Sequence, residues 1–340
     1  MKAIAVEKAV GMVLGHDVTR IVAGGEKGPA FRRGHVIQPG DIPLLLDIGK
    51  RHVFVADCSP GMLHEDEAAR RLARAVAGPG LDATEPCEGR INLKARHAGL
   101  LTIDVPALQR CNGLGEIVVT TRHTHRPVAS GQAVAGLRVV PLTIAEERLA
   151  AAETLCREAF PLVQVRHFRP LPVGMVTTGS EVYSGRIADT FGPVVREKFA
   201  AMGCPILRQI LVSDDTAMTA EAILTLIGEG ARMVVVTGGM SVDPDDRTPA
   251  AIRAAGAQVT LYGAPVFPGA MFLLAHIGEV PVLGLPGCVM YYRASIFDLI
   301  VPRLLAGVPV CKEDITALGH GGYCAGCAEC RFPDCGFGCG

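Results

Sequence analysis

Five short stretches between Thr177 and Cys288 concentrate the residue types that bind oxyanions: TTGSEVYSG, SDD, TGGMSVDPDD, FPGAM and LPGC. Each falls where an apolar run gives way to an amphipathic one. Gly179, Gly238, Gly239, Gly269 and Gly287 let the backbone approach a ligand closely. Unpaired amides at helix starts favour phosphate or a similar anion. Thr177, Thr178, Ser180, Thr237 and Ser241 add hydroxyls. One such turn would only mark an ordinary α/β connection, but five in series point to a site.

The same turns carry Glu181, Asp189, Asp214, Asp215, Asp243, Asp245 and Asp246, carboxylates that would repel a phosphate. A divalent cation resolves the conflict, because Mg2+ is held by one or two carboxylates together with phosphate oxygens. This predicts a metal-assisted phosphoryl or nucleotidyl site, with Asp246 and Asp215 as its candidate metal ligands. Ser213, Asp214 and Asp215 equally suit a helix N-terminus before TAMTAEAIL; a solvated loop is the lesser reading of the acids after Gly239, because Gly238 and Gly239 lead that loop straight off a buried strand. Neither GxxxxGK[ST] nor GxGxxG is present, which excludes a P-loop enzyme and the usual dinucleotide dehydrogenase.

A second chemical signal lies at the end of the chain. Cys324, Cys327, Cys330, Cys335 and Cys339 include two consecutive CxxC spacings, which suit tetrahedral zinc, with His320 as a further donor. An iron–sulfur cluster is the rival, although the last gap and the placement of Pro333 depart from the ferredoxin pattern. A disordered or redox-active tail remains the third reading.

The elements that must position these residues follow from periodicity. LPVGMV, PILRQILV, ARMVVVT, AQVTLYG and VPVLGL read as strands buried on both faces. The segments GPVVREKFAAMG, DDTAMTAEAILTLIGEG, RTPAAIRAAG and YYRASIFDLIVPRLLAG read as helices between or after them. The expected fold is α/β, a doubly wound and mostly parallel sheet with its ligand at the carboxyl ends of the strands. It is preceded by smaller α+β modules and followed by the cysteine-rich tail. The divisions expected are 1–57, a mixed module in which Asp41 caps a short helix; 58–168, an α+β module; 169–310, the doubly wound domain; and 311–340, the tail.

In order and spacing, TTGSEV, ADT, SDD, TGGMSVDPDDRT, FPGAM and GLPG resemble the molybdopterin-binding domain of MoeA-type molybdotransferases and MogA-type adenylyltransferases. The resemblance covers residues 171–307 and is nearer the MoeA branch. Residues 8–56 also resemble MoeA-type sequence, while 58–168 show no such likeness. The resemblance implies molybdopterin, free or adenylylated, as ligand, with Mg2+-assisted cleavage of the adenylate and insertion of molybdate. It implies Glu181, Asp189 and Asp246 as catalytic residues. Thr178, Gly179, Ser180, Thr237, Gly238, Gly239, Ser241, Thr248, Pro268, Gly269, Pro286 and Gly287 would form the cofactor cradle.

The departures are specific. Ser180 replaces an aspartate, Phe191 stands where an asparagine is expected, and Phe267 and Ala270 occupy the lysine positions of the family's KPGKP. Lysine supplies a compact positive charge to phosphate sites that these residues cannot. Cys288 follows LPG, either as a thiolate at a helix start or as a small buried apolar residue. A strand through TTRHTHRPV would put Arg122 and Arg126 on one face and His123 and His125 on the other. With Arg90, Lys94, Arg96 and His97 they offer either a substitute basic wall or a solvated face.

Composition bounds the partners. Thirty-three basic residues against 34 acidic ones give no field that would draw nucleic acid or an anionic membrane. No apolar run approaches a bilayer span, so cytoplasm is the expected location, with the twelve cysteines reduced. The reading is a molybdopterin-binding protein of molybdenum cofactor biosynthesis. Its alternatives are a non-catalytic cofactor carrier that meets a molybdoenzyme or maturation factor, and a nucleotide pyrophosphatase on the same fold. The resemblance implies a homo-oligomer, a dimer or a trimer.

Overall fold

The computed structural model describes residues 2–20, 28–55, 60–241, 243 and 246–339. Asp245, one of the expected acids, lies outside them. The chain divides into two units: Met1–His97 with Thr102–Thr124 and Val128–Val165, and Ala98–Leu101 with His125–Pro127 and Arg166–Gly340.

The second unit is an α/β fold with a mostly parallel sheet. Its strands are β1 (Val173–Thr178), β2 (Ile206–Val212), β3 (Met233–Thr237), β4 (Gln258–Tyr262), β5 (Leu273–Ile277) and β6 (Val280–Leu285). Their order in the sheet is β2-β1-β3-β6-β5-β4, parallel from β2 to β6 and antiparallel at the β6-β5 and β5-β4 pairs. Its longer helices are α1 (Phe191–Ala200), α2 (Thr216–Gly228), α3 (Thr248–Ala254) and α4 (Ile296–Leu305). Side chains alternate between two cores. Val173, Met175, Met233 and Val235 pack with Val195, Phe199 and Phe297 from α1 and α4. Val176, Val234 and Val236 pack with Ile223, Leu226 and Ile252 from α2 and α3. That alternation is the period-2 pleat of strands covered on both faces, and it explains their near-continuous apolar runs.

β5 was not among the expected strands. LLAHI and VPVLGL form a hairpin that turns at Gly278, whose φ of +56° suits glycine. With only two residues between the strands, the two apolar segments read as one longer run in the sequence.

The first unit holds a four-stranded antiparallel sheet in the order Leu81–Ala83, Arg90–Ala95, Ala133–Val139, Ile117–Thr121. Helices Glu65–Val76 and Glu146–Glu158 pack together, and Arg71 forms ion pairs with Glu146 and Glu153, both at 2.8 Å. Residues 3–55 contribute a small core of Val6, Leu14, Val18, Ile37, Leu45 and Val53. Asp41 is the first residue of helix Asp41–Asp47 rather than its cap. Its carboxylate accepts from the Gln38 amide at 2.8 Å and meets the His35 ring at 2.6 Å.

TTRHTHRPV is not one strand. Ile117–Thr121 ends before a turn in which His125 takes φ +60°, and a short strand begins at Arg126. The face alternation expected for Arg122, His123, His125 and Arg126 is therefore lost. Arg126 is 4% exposed and turned toward the chain's end rather than toward an anion site. Among the described residues, no helix is long and apolar enough to cross a membrane.

Candidate functional site

At the carboxyl ends of β1, β3 and β6, parallel pairing brings three turns side by side, since Thr177 pairs with Thr237 and Thr237 with Leu285. Thr237 is fully buried, and its hydroxyl hydrogen-bonds the Thr177 hydroxyl at 3.0 Å. Gly238 and Gly239 follow with φ of +86° and +56°. A Cβ on Gly238 would stand 2.2 Å from the Thr178 carbonyl oxygen, and one on Gly239 would stand 2.7 Å from Thr248 Oγ1. Only glycine fits either place. Thr248 Oγ1 donates to the Gly238 carbonyl at 2.8 Å and closes the turn onto α3. Thr178 Oγ1, buried beside this turn, has no hydrogen-bond partner among the described residues.

In front of these turns opens a cleft of ≈ 690 Å3. Of the residues expected from sequence, Gly238, Gly239, Ser241, Asp246, Pro268, Gly269, Pro286 and Gly287 line it. Thr178, Thr237 and Thr248 are buried and support the turns. Gly179, Ser180, Glu181, Asp189 and Asp215 do not line the cleft. Ser180 is tied to its neighbours: its amide and hydroxyl donate to Asp214 Oδ2 at 2.8 and 2.9 Å, and its hydroxyl meets that of Ser213 at 2.9 Å.

The acids also separate by what they bind. Asp189 accepts from the Phe191 and Gly192 amides at 2.9 and 3.0 Å and from Gln209 Nε2 at 2.5 Å, which fixes the start of α1. Asp215 caps α2 by accepting from the Met218 amide at 2.8 Å, the role that competed with metal binding. Glu181 is exposed, its carboxylate folded toward Gly179. Asp246 faces the cleft, and its Oδ2 accepts from the Asp243 amide at 2.8 Å. It is the carboxylate lining the cleft among the described residues.

Cys288 lines the cleft too, but burial pushes its thiol up, and Asp298 adds to the shift. Helix Cys288–Tyr291 is only four residues long, and its N-terminus does not offset that burial. Of the two readings of Cys288, this disfavours the thiolate.

The tail was expected to gather its sulfurs around a metal. Cys327 is exposed, while Cys324, Cys330 and Cys335 are half-buried and pack against the core beside α4. Among the described residues no three His, Cys, Asp or Glu side chains come together as a metal-holding group. Instead the tail folds along the cleft, which Tyr323, Cys324 and Gly326 help to line. Met240, Tyr292, Tyr323 and Gly326 were missed from sequence. The Tyr291–Tyr292 pair just after LPGC was a signal for one of them. Nothing local signalled the return of the tail.

Residues 174–306 match a family described as a "probable molybdopterin binding domain". Residues 3–57 match a domain of unknown function, DUF8806. A molybdopterin molybdenumtransferase of Synechococcus elongatus is 25% identical over 185 residues, 52% of this chain and 45% of that protein. A CinA-like protein of Citrifermentans bemidjiense is 37% identical over 90 residues, 26% of this chain and 22% of that protein. The chain thus spans less than half the length of these curated relatives. The crystal structure of the molybdopterin biosynthesis enzyme MoaB from Thermus thermophilus covers 41% of this chain and 98% of its own, with 21% identity and a TM-score of 0.33. Over residues 174–306, the chain contains a member of the molybdopterin-binding domain family.

Proposed function

We propose that the cleft binds a molybdopterin-type ligand, a pterin bearing a phosphate that is either free or adenylylated, in molybdenum cofactor biosynthesis. The observation that carries this reading is the Gly238–Gly239 turn, which lines the cleft and where only glycine fits. Such a turn lets a phosphate oxygen approach the backbone closely. Among the described residues no Lys or Arg lines the cleft. The phosphate alone is therefore a weak handle, and recognition rests on the whole ligand.

Catalysis hangs on Asp246. Mg2+ would be held there together with the ligand's own phosphate oxygens, and it would neutralise the charge that builds on them during adenylate cleavage. Asp189 and Asp215 support this only indirectly, because each holds a helix start. A ligand carrier without turnover is the second reading, favoured by the lack of basic lining residues.

The experiment is turnover of adenylylated molybdopterin with Mg2+, with and without molybdate, for the protein and for Asp246→Ala. Molybdate-dependent AMP release that disappears in the variant supports the insertase. Tight binding without release leaves the carrier. Cleavage of an ordinary dinucleotide with no affinity for the pterin would replace both with a pyrophosphatase, the reading that the likeness to CinA-like proteins keeps in view.

A further inference from the structure

The match to the molybdopterin-binding family ends at residue 306, yet the cleft does not. Its remaining wall comes from the tail. The Phe267 amide donates to the Gly322 carbonyl at 2.8 Å, and the Cys324 amide donates to the Phe267 carbonyl at 2.8 Å. This parallel bridge pairs Phe267 with Tyr323, both lining the cleft, and bridge partners project to the same side of their strands. Gly322 makes the approach feasible, since a Cβ there would stand 2.7 Å from the Pro265 carbonyl oxygen.

The tail is tied down behind the bridge. The Gly338 amide donates to the Gly321 carbonyl at 2.8 Å and closes the tail into a loop. Arg126 Nη2 donates to the Cys335 carbonyl at 3.2 Å, to the Phe337 carbonyl and to Cys339 Sγ, and its guanidinium lies 5.1 Å from the centre of the Phe332 ring. Phe337 is 4% exposed. In contrast, Phe267 and Tyr323 are 60% and 79% exposed. A loop held this firmly that still presents bare aromatic faces at a cleft is arranged for contact with a flat apolar partner.

We infer that the tail is part of the ligand site: Tyr323, bridged to Phe267, stacks on the planar heterocycle of a phosphorylated ligand whose phosphate lies at the Gly238–Gly239 turn. The inference rests on reading this cleft as the ligand site, but it requires only a planar ring and not a pterin. Stacking then takes over the recognition that the resemblance assigns to lysines, with Phe267 standing at one of those positions.

The chain has five tyrosines and no tryptophan, and Tyr292 and Tyr323 line the cleft, so part of the tyrosine emission comes from it. The probes are hydroxymethylpterin phosphate, AMP and inorganic phosphate, titrated into the full chain and into Tyr323→Ala and Tyr323→Phe. The expected result is binding of the pterin phosphate with quenching of the emission. It should be weakened at least about tenfold in Tyr323→Ala and kept within about twofold in Tyr323→Phe, as loss of a stacking ring predicts. Inorganic phosphate should compete equally against all three proteins. The inference is overturned if Tyr323→Ala binds like the parent, if Tyr323→Phe is as weak as Tyr323→Ala, or if no planar probe binds. Binding of AMP but not of the pterin phosphate, with the same dependence on Tyr323, would remove the pterin reading and leave the stacking wall standing.

Discussion

The loop after β1 and the loop after β3 are built from nearly the same residues and end in different roles. Both leave a buried strand through threonine and glycine, and both carry acids before the next longer helix. In the first, Asp189 is taken up by the amides that start α1 and by Gln209, and Ser180 is held by Asp214. In the second, Gly238 and Gly239 open onto the cleft and Asp246 lines it. Composition sets what a loop can bind, and the backbone groups already satisfied by its side chains decide what is left for a ligand.

The largest test of this contrast is at Gly238. Gly238→Ala combines a left-handed backbone with a Cβ driven against the Thr178 carbonyl. It should cost about 2–3 kcal/mol in chemical denaturation and abolish ligand binding. In the first loop, Gly185 is also left-handed but has open space around it, so Gly185→Ala should cost only about 1 kcal/mol with binding kept. Equal costs at the two positions would break the comparison.

Such measurements belong above the pH range in which His125 titrates. Burial, with Arg303 nearby, pushes this imidazole down to about 4, against about 6.5 in the unfolded chain. Between those values the unfolded state binds more protons, so stability is lost as pH falls through the window. The slope from this residue should approach about 1.4 kcal/mol per pH unit at most. Denaturation midpoints measured from pH 7 to 4 should show the fall, and His125→Gln should flatten it.

Asp189→Asn should cost about 1–2 kcal/mol, because it weakens charge-assisted bonds to the start of α1. Asp246→Asn should change stability by no more than about 0.5 kcal/mol while reducing Mg2+-dependent AMP release if the cleavage reading holds. The reverse pattern would exchange the roles of the two loops. At Asp215, replacement by Ala should cost about 1 kcal/mol, the usual value for a lost helix cap, with ligand affinity unchanged.

The second unit was readable because its signals are local. MVVVT and VPVLGL alternate between two cores and need both faces covered, and Asp215 precedes TAMTAEAIL as a capping residue should. The glycine turn at 238–239 was legible as a place of close approach, since positive φ and missing side chains are properties of the residue type, whereas Gly287 takes an ordinary φ of -55° with open space around it. The separate jobs of Asp189 and Asp246 were not legible. Both are acids in polar turns, and only the position of Gln209, brought alongside by β2, and the direction of the second loop distinguish them. The cysteine spacing suggested a ligand set, but the bonds that order the tail run from Arg126 to its carbonyls and Cys339 Sγ, and between the Phe267 backbone and the tail's Gly322 carbonyl and Cys324 amide.

By itself, then, the sequence determined the mostly parallel α/β domain, its glycine turns and the end of the sheet at which the cleft opens. These follow from periodicity and backbone preference, which act within a few residues. Only the tertiary structure decided that Arg126, more than 200 positions upstream, anchors the tail and that Tyr323 reaches the cleft through Phe267. Contacts of that separation depend on which unsatisfied groups meet after the chain has folded. The residue types on either side allow the pairing without specifying it.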